Sequence, residues 1–185
     1  MQDTGHNINR ITVKLRIRLK KGIRKFKNVL TVSRQLGINR YNTATIVMDM
    51  EDVMLGYDKY SEITSDYDLK ETSCVLVVQT EKKLAFVIEV YPINFDLTTI
   101  NKVQADEYGP YKDTGMVIVT NGIYWKIFKI NRGQSIGYLV REFSFLDLNS
   151  KDPNDIYKLY RLCREYLRDY GPPVFDDLEA KGESR

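Results

Sequence analysis

Apolar residues at helical spacing dominate the first part of the chain. In residues 11–36 they recur every three or four positions, and Gly37 follows, which predicts a helix that ends at this glycine. The stretch VKLRIRL near its start also alternates as a strand would, so the start of this helix stays open. A second helix is predicted from Thr43 to Met54. Asn42 or Thr43 would cap it, and Gly56 lies beyond its end.

Short apolar runs between polar turns predict a β-sheet in the middle of the chain. Extended segments are predicted at 60–69, as an edge strand, and at 74–78, 84–90, 116–119, 123–130 and 138–148. The polar residues 80–83 would join the second and third of these segments as a hairpin, and Asn121-Gly122 is a turn dipeptide between the fourth and fifth.

Two more helices are predicted, at 98–108, closed by Gly109-Pro110, and at 155–168. A helix between the strands 84–90 and 116–119 favours a parallel, right-handed crossover. The order of elements predicts an α/β fold with a central mixed sheet flanked by helices. Without a repeat or a linker, residues 1–175 are expected to form a single domain, and the polar residues 176–185 a disordered tail.

Composition narrows the class of protein. The chain has 185 residues, of which 43% are hydrophobic and 29% charged, as in a soluble domain with a real core. Its 13 tyrosines suit contact with nucleic acid or protein, although a biased composition gives the same count. Cys74 and Cys163 are too far apart for a metal motif or a disulfide framework. His6 is the one histidine, which argues against a zinc site and a histidine triad.

No apolar run is long enough to span a bilayer, and the first residues lack the apolar centre of a signal peptide. We therefore expect a cytoplasmic protein without a membrane partner. No glycine-rich phosphate loop is found, so ATP hydrolysis is not indicated.

Charge is distributed unevenly along the chain. Asp3 is the only acid before Asp49, whereas basic residues crowd the first predicted helix. A face of this kind attracts phosphate backbones. The predicted nucleic-acid-binding residues are Lys14, Arg16, Arg18, Lys20, Lys21, Arg24, Lys25 and Lys27. The alternative is a solvated helix that is balanced inside the fold by the acidic stretch 49–71.

Glu89 is an acid near the end of the otherwise apolar strand 84–90. A buried carboxylate without a partner is costly, so this residue needs a metal ion, a cation or water. The alternative is that it lies at the exposed end of its strand.

Four stretches occur together in a family's order and spacing. They are LGYDKYSEITSDY (55–67), CVLVVQTEKKLAFVIEVYPI (74–93), QADEY (104–108) and VIVTNGIYWKIFKI (117–130). They resemble the N-terminal nuclease domain of type I restriction enzyme R subunits, and especially its small stand-alone relatives, over residues 39–167. The resemblance implies the PD-(D/E)xK restriction-endonuclease-like fold. In that family an Asp and a Glu on neighbouring strands hold Mg²⁺, and a Lys two residues beyond the Glu stabilises developing charge during phosphodiester hydrolysis.

The resemblance implies a dismantled site in this chain. The aligned positions are Glu89, Tyr91, Val75, Arg40, Gln104, Tyr108 and Asp66. Glu89 keeps the acid, whereas Tyr91 replaces the lysine and Val75 replaces the metal-binding aspartate. One carboxylate with a valine opposite is a poor Mg²⁺ site, so no metal or cofactor is predicted; Mg²⁺ on Glu89 is expected only if hydrolysis persists.

Arg40 stands where the small relatives have a helix glutamate, so we predict a salt bridge from Arg40 to Glu89 in place of a metal. Gln104 and Tyr108 match the family's Q-x-x-x-Y motif and would share one helical face beside the site. Lys102 would point away from that face, which argues against a relocated lysine. Asp66 is a conservative change of a family carboxylate, and Asp66, Glu62 or Asp68 could supply a second metal ligand from the neighbouring strand.

Three functions are consistent with these patterns. The first is a degenerate nuclease-like domain that binds DNA, RNA or a protein without cleaving. The second is an active or remodelled Mg²⁺-dependent endonuclease. The third is a protein-interaction module of a restriction or defence system, which pairs with a motor, a methyltransferase or a second copy of itself.

Overall fold

Seven strands form one mixed sheet in the computed structural model, which describes residues 11–66, 69–81, 83–171 and 173. The strands are β1 Ile63–Asp66, β2 Cys74–Thr80, β3 Lys83–Val90, β4 Lys102–Gln104, β5 Met116–Thr120, β6 Tyr124–Lys129 and β7 Ile136–Ser144. Their spatial order is β1-β2-β3-β5-β6-β7-β4. β3 and β5 are parallel, and the other neighbours are antiparallel. The α/β class and the parallel pair are confirmed.

Four α-helices accompany the sheet in the described ranges: α1 Val13–Leu36, α2 Arg40–Met50, α3 Pro153–Tyr160 and α4 Arg164–Tyr170. α1 begins after Thr12, whose side chain accepts a hydrogen bond from the Leu15 amide at 3.3 Å. It ends at Gly37, whose φ of 61° closes the helix in the left-handed region that glycine favours. The predicted helix is confirmed, and the strand alternative for its start is wrong.

α2 starts earlier than predicted. Asn39 is its N-cap and accepts from the Asn42 amide at 3.1 Å, so Asn42 and Thr43 are not the caps. The helix continues as a π-helical turn, Glu51–Leu55, and ends at Gly56 with φ 90°. The predicted end is therefore confirmed.

The two faces of the sheet are covered differently. On the helix face, side chains such as Cys74 and Ile88 pack in one core with α1, α2 and α3. On the opposite face, which we call the loop face, Val75 and Val119 pack with residues 97–108. Strand register aligns one row of side chains on the loop face: Asp66, Val75, Glu89, Val119, Lys126 and Glu142.

The predicted helix 98–108 is wrong. The chain forms the short strand β4 and then a 3-10 segment, Ala105–Tyr111. Val103 pairs with Gly137 of β7, where a side-chain Cβ would come within 2.6 Å of Val103 Cγ2. Pairing with a strand more than thirty residues further along thus overrides the local helical pattern. The described part of the loop face is covered by this segment and not by an α-helix.

Other boundaries moved less. The predicted edge strand 60–69 is confirmed as β1, but only over Ile63–Asp66, with residues 67 and 68 outside the described ranges. The predicted helix 155–168 is split into α3 and α4, because Cys163 adopts an extended conformation between them. β7 starts before residue 138, and a 3-10 turn, Phe145–Asp147, follows it. The tail 176–185 lies outside the described residues.

Within the described ranges, no helix combines the length and the apolar character that crossing a bilayer requires.

Candidate functional site

Glu89 lies near the end of β3 on the loop face, with 2% of its surface exposed. Its Oε1 accepts hydrogen bonds from Ser73 Oγ at 2.8 Å and from the Tyr91 hydroxyl at 2.7 Å. Its Oε2 accepts from Lys70 Nζ and from the Tyr108 hydroxyl, both at 2.9 Å. The charge is therefore buried and fully satisfied, so the alternative of an exposed strand end is wrong.

Lys70 supplies the cation that Glu89 requires. Its Nζ lies 2.9 Å from Glu89 Oε2 and 2.8 Å from Glu107 Oε2, and 4.5 Å from the centre of the Tyr108 ring. One ammonium thus joins two carboxylates at the position that a cation shared by both would take. We call Lys70, Ser73, Glu89, Tyr91, Glu107 and Tyr108 the Glu89 cluster.

The sequence reasoning missed Lys70, Ser73 and Glu107. Lys70 precedes β2 in a loop whose sequence has no periodicity. The one feature of the sequence that could have singled it out as a partner for Glu89 is that it is the only basic residue between Lys59 and Lys82. The contact of Glu107 with Lys70 was not predicted, because residues 98–108 were expected to form an α-helix and Glu107 instead lies in a 3-10 segment.

Arg40 is not the partner of Glu89. It begins α2, where its Nη2 donates to the Tyr41 hydroxyl at 2.8 Å. It also lies close enough to Cys74 to oppose the rise that burial causes in the pKa of that thiol. Cys74 and Val75 point to opposite faces of the sheet, and Glu89 pairs with Val75. The predicted salt bridge from Arg40 to Glu89 is therefore wrong, because the sheet separates the two residues.

Val75 lies directly opposite Glu89 in the antiparallel pair of β2 and β3 and is fully buried. An apolar side chain thus occupies the place where a second carboxylate could have faced Glu89. Asp66 lies opposite Val75 on β1, two strands from Glu89 and about 10 Å away at the usual strand spacing. The buried side chain of Val75 stands between these two carboxylates in the row.

The two residues of the Q-x-x-x-Y motif, Gln104 and Tyr108, do not lie in the same site. Tyr108 belongs to the Glu89 cluster, whereas Gln104 is exposed and pairs with Ile136 of β7. Because the segment is not an α-helix, these two side chains do not share a helical face.

The two phenols are held as hydrogen-bond donors. Burial, and then the negative charge of Glu89, raise the pKa of Tyr91 and the pKa of Tyr108 well above the ordinary tyrosine value. Both hydroxyls therefore keep their protons near pH 7 and donate to the carboxylate.

The Glu89 cluster does not fit Mg²⁺ as it stands. Mg²⁺ needs oxygen ligands that it shares with several waters, whereas an ammonium and three hydroxyls already take both oxygens of Glu89. Among the described residues, no three His, Cys, Asp or Glu side chains are placed to hold a metal ion together.

The predicted nucleic-acid-binding residues of α1 fall into two groups. Lys14, Lys21, Arg24 and Lys25 are exposed, and we call these four the basic face; Arg16, Arg18, Lys20 and Lys27 are half-buried. Across the ranges given above, no member of the basic face forms an ion pair with a carboxylate.

Arg18 has a structural role and is not available to a ligand. It binds both carboxylate oxygens of Glu165, at 2.7 and 2.8 Å, and donates to the carbonyls of Met54 and Leu55. It thereby satisfies carbonyl groups at the end of the π-helical turn and joins α1 to α4.

The basic face and the Glu89 cluster lie on opposite sides of the sheet. The buried residues of α1, such as Leu19 and Phe26, pack on the helix face, so the exposed side of α1 turns away from the sheet. Glu89 belongs to the loop face.

Comparison of the chain with protein-family models, with curated proteins and with solved structures found no match to any of them.

Proposed function

We propose that this chain is a nuclease-like domain that binds the phosphate backbone of nucleic acid and does not cleave it. The observation that carries the proposal is the Lys70 ammonium, 2.9 Å from Glu89 and 2.8 Å from Glu107. A positive charge that belongs to the protein thus lies between Glu107 and Glu89, the acid that aligns with the metal-binding glutamate of the resembling family.

Two substitutions and one ion pair support the absence of cleavage. Val75 removes the second carboxylate, Tyr91 replaces a positive charge with a neutral hydroxyl, and Lys70 competes with any divalent cation for Glu89. Removal of one preorganised charge-stabilising group typically lowers a rate about 100- to 1000-fold. Together these features leave Glu89 without the second carboxylate and the lysine that the resembling family uses in hydrolysis.

The basic face supports the binding of nucleic acid. Its four charges lie along one side of a 24-residue helix, where they can follow a row of phosphates. Because none of them pairs with a carboxylate among the described residues, binding of phosphate does not require an internal salt bridge to break.

Cleavage is tested with plasmid and single-stranded DNA in Mg²⁺ and in Mn²⁺. We expect no product from the wild-type protein, as for Glu89→Ala. A remodelled nuclease is the second candidate, because Lys70 brings the carboxylates of Glu89 and Glu107 to one position. Cleavage that Glu89→Ala abolishes would establish this second candidate and overturn the first.

Binding is tested by titrating a fluorescent duplex at several salt concentrations. Replacing all four residues of the basic face with glutamine should reduce the slope of log K against log salt by about 3 to 4, since each phosphate contact contributes about 0.9. The matched control removes three exposed lysines and one exposed arginine elsewhere: Lys112, Lys129, Lys151 and Arg132. Equal effects of the two variants, or no binding by the wild type, would contradict the proposal.

A further inference from the structure

The loop face carries a second cleft, two strands from Glu89. It has a volume of about 580 Å³ and lies between residues 95–98 and the strands β6 and β7. This volume lies in the range of sites for small molecules. The residues that matter for its chemistry are Phe95, Asp96, Thr98, Tyr124, Lys126 and Glu142.

Lys126 is the unusual residue of this cleft. It lies inside β6 with 9% of its surface exposed, and its Nζ donates to the Ile100 carbonyl at 2.9 Å. The nearest carboxylate oxygen is Glu142 Oε2 at 3.8 Å, beyond hydrogen-bond length. Among the described residues, the Ile100 carbonyl is therefore the one protein acceptor at hydrogen-bond distance from the ammonium, which leaves two of its N–H groups for a ligand. A buried cation in this state favours a ligand that brings acceptors.

Glu142 provides acceptors next to these donors. It lies directly across from Lys126 in the pair of β6 and β7, and 60% of its side chain is exposed. Within the described ranges its carboxylate accepts no hydrogen bond. A donor and a two-oxygen acceptor thus stand side by side at the cleft.

Aromatic surface lines the same cleft. Phe95 stacks on Tyr91 with ring centres 4.4 Å apart and keeps 38% of its surface exposed; Tyr124 keeps 47%. Planar rings of this kind stack on nucleobases whatever the base sequence.

The segment that carries Phe95 is held in place before any ligand arrives. The Asn121 amide donates to the Phe95 carbonyl at 3.0 Å, and Asp96 accepts from both the amide and the hydroxyl of Thr98 at 2.9 Å. A preformed wall lowers the entropic cost of binding a rigid ligand.

We propose that this cleft binds a nucleobase and that guanine fits it best. The ring would lie against Phe95 and Tyr124, O6 would accept from Lys126, and N1–H and N2–H would donate to the carboxylate of Glu142. Adenine, cytosine and uracil do not present two neighbouring ring-edge donors beside an acceptor. The base belongs either to a free nucleotide or to a strand, and the site is independent of the basic face because the sheet separates them.

The experiment compares GMP, AMP, CMP and UMP by calorimetry with the full chain. GMP is expected to bind about ten-fold more tightly than the other three, as for a bidentate contact to one base. Lys126→Met and Glu142→Gln should each weaken GMP binding about ten-fold, and Glu142→Gln should also remove the preference over AMP. Lys129→Met and Glu81→Gln are the controls, since both residues are exposed and outside the cleft.

If Lys126→Met does not fold, the exposed positions remain informative, and Phe95→Ala should weaken all four nucleotides alike. Single-stranded oligonucleotides that end in G or in A identify the source: binding of the G-ended strand without binding of GMP supports a base carried by a strand. No guanine-dependent binding in either format, or equal affinity for GMP and AMP, overturns the inference. The four-charge variant of the basic face should bind GMP normally, so failure of the proposed function is distinguishable.

Discussion

At the scale of residues, Lys70 supplies the positive charge of the Glu89 cluster. Replacing it with methionine would leave Glu89 buried without its cation while Ser73, Tyr91 and Tyr108 remain. Loss of one partner of a buried ion pair typically costs about 3 kcal/mol. We expect a loss of this size in urea unfolding at pH 7. Lys112→Met, at an exposed position, should cost less than about 0.5 kcal/mol. Equal losses would show that Glu89 does not depend on Lys70.

Removal of Lys70 should also create an affinity that the wild type lacks. In Lys70→Ala, the space between Glu89 and Glu107 is free for a divalent cation, with two carboxylates as ligands. Mn²⁺ should therefore raise the Tm of Lys70→Ala but not that of the wild type, and Lys70→Ala/Glu89→Gln should lose the effect. A Tm of Lys70→Ala that is insensitive to Mn²⁺ would show that the ammonium does not fill a latent cation position.

Glu51 has no such partner. It is fully buried in the π-helical turn, and neither carboxylate oxygen has a hydrogen-bond partner in the described structure. Burial raises its pKa from 4.5 to about 8. The folded state therefore holds a proton that the unfolded chain releases, and the free energy of unfolding falls as the pH rises from 4.5 towards 8.

Glu51→Met should remove this pH dependence. The variant should be more stable than the wild type, and its advantage should be larger at pH 8 than at pH 5, by several kcal/mol. Urea unfolding of both proteins at the two pH values measures the difference, with the exposed Glu71→Met as the control. The same advantage at both pH values would mean that Glu51 does not titrate between them.

At the scale of elements, two asparagines near the start of α2, three residues apart, have different roles in capping the helix. Asn39 accepts from the Asn42 amide, whereas the side chain of Asn42 is exposed. Asn39→Ala should therefore destabilise the protein by about 1 kcal/mol, and Asn42→Ala by much less. Thermal unfolding of the two variants side by side measures the two losses of stability. A larger loss for Asn42→Ala would show that Asn42, and not Asn39, is the N-cap.

The sequence pattern predicted those elements whose conformation is determined by residues within the element itself. α1 has its own cap, its own apolar stripe and a terminal glycine, so its sequence was sufficient. β4 was not predictable, because the residues around Val103 have a helical pattern of apolar positions. Val103 is instead held in a strand by pairing with Gly137 of β7, at the edge of the sheet, where the absence of a Cβ leaves room for its side chain. The candidate site was predictable where strand register decides, as for Val75 opposite Glu89. The contact of Lys70 with Glu89 was not predictable, because the conformation of the loop before β2 determines it.

At the scale of the whole molecule, the sheet separates the basic face from the loop face. Nucleic acid on the basic face should change the surroundings of α1 and leave the loop face undisturbed. Because Cys74 and Cys163 are buried, a fluorophore can be placed on Asn28→Cys or on Glu71→Cys, both of which are exposed. Addition of duplex DNA should change the emission at position 28 and not at position 71. A change only at position 71 would move the nucleic-acid site to the loop face.

The place of β4 in the sheet also has a consequence for the order of assembly. β4 lies between β3 and β5 in the chain but pairs with β7 in space, so it cannot dock before residues 136–138 have left the ribosome. Tyr108 and Glu107 follow β4 directly and depend on that docking. The meander β1–β3 closes from neighbouring segments, so we expect it to form early. During synthesis, the carboxylate of Glu89 is therefore joined by Lys70, Ser73 and Tyr91, which adjoin the meander, before Tyr108 encloses it.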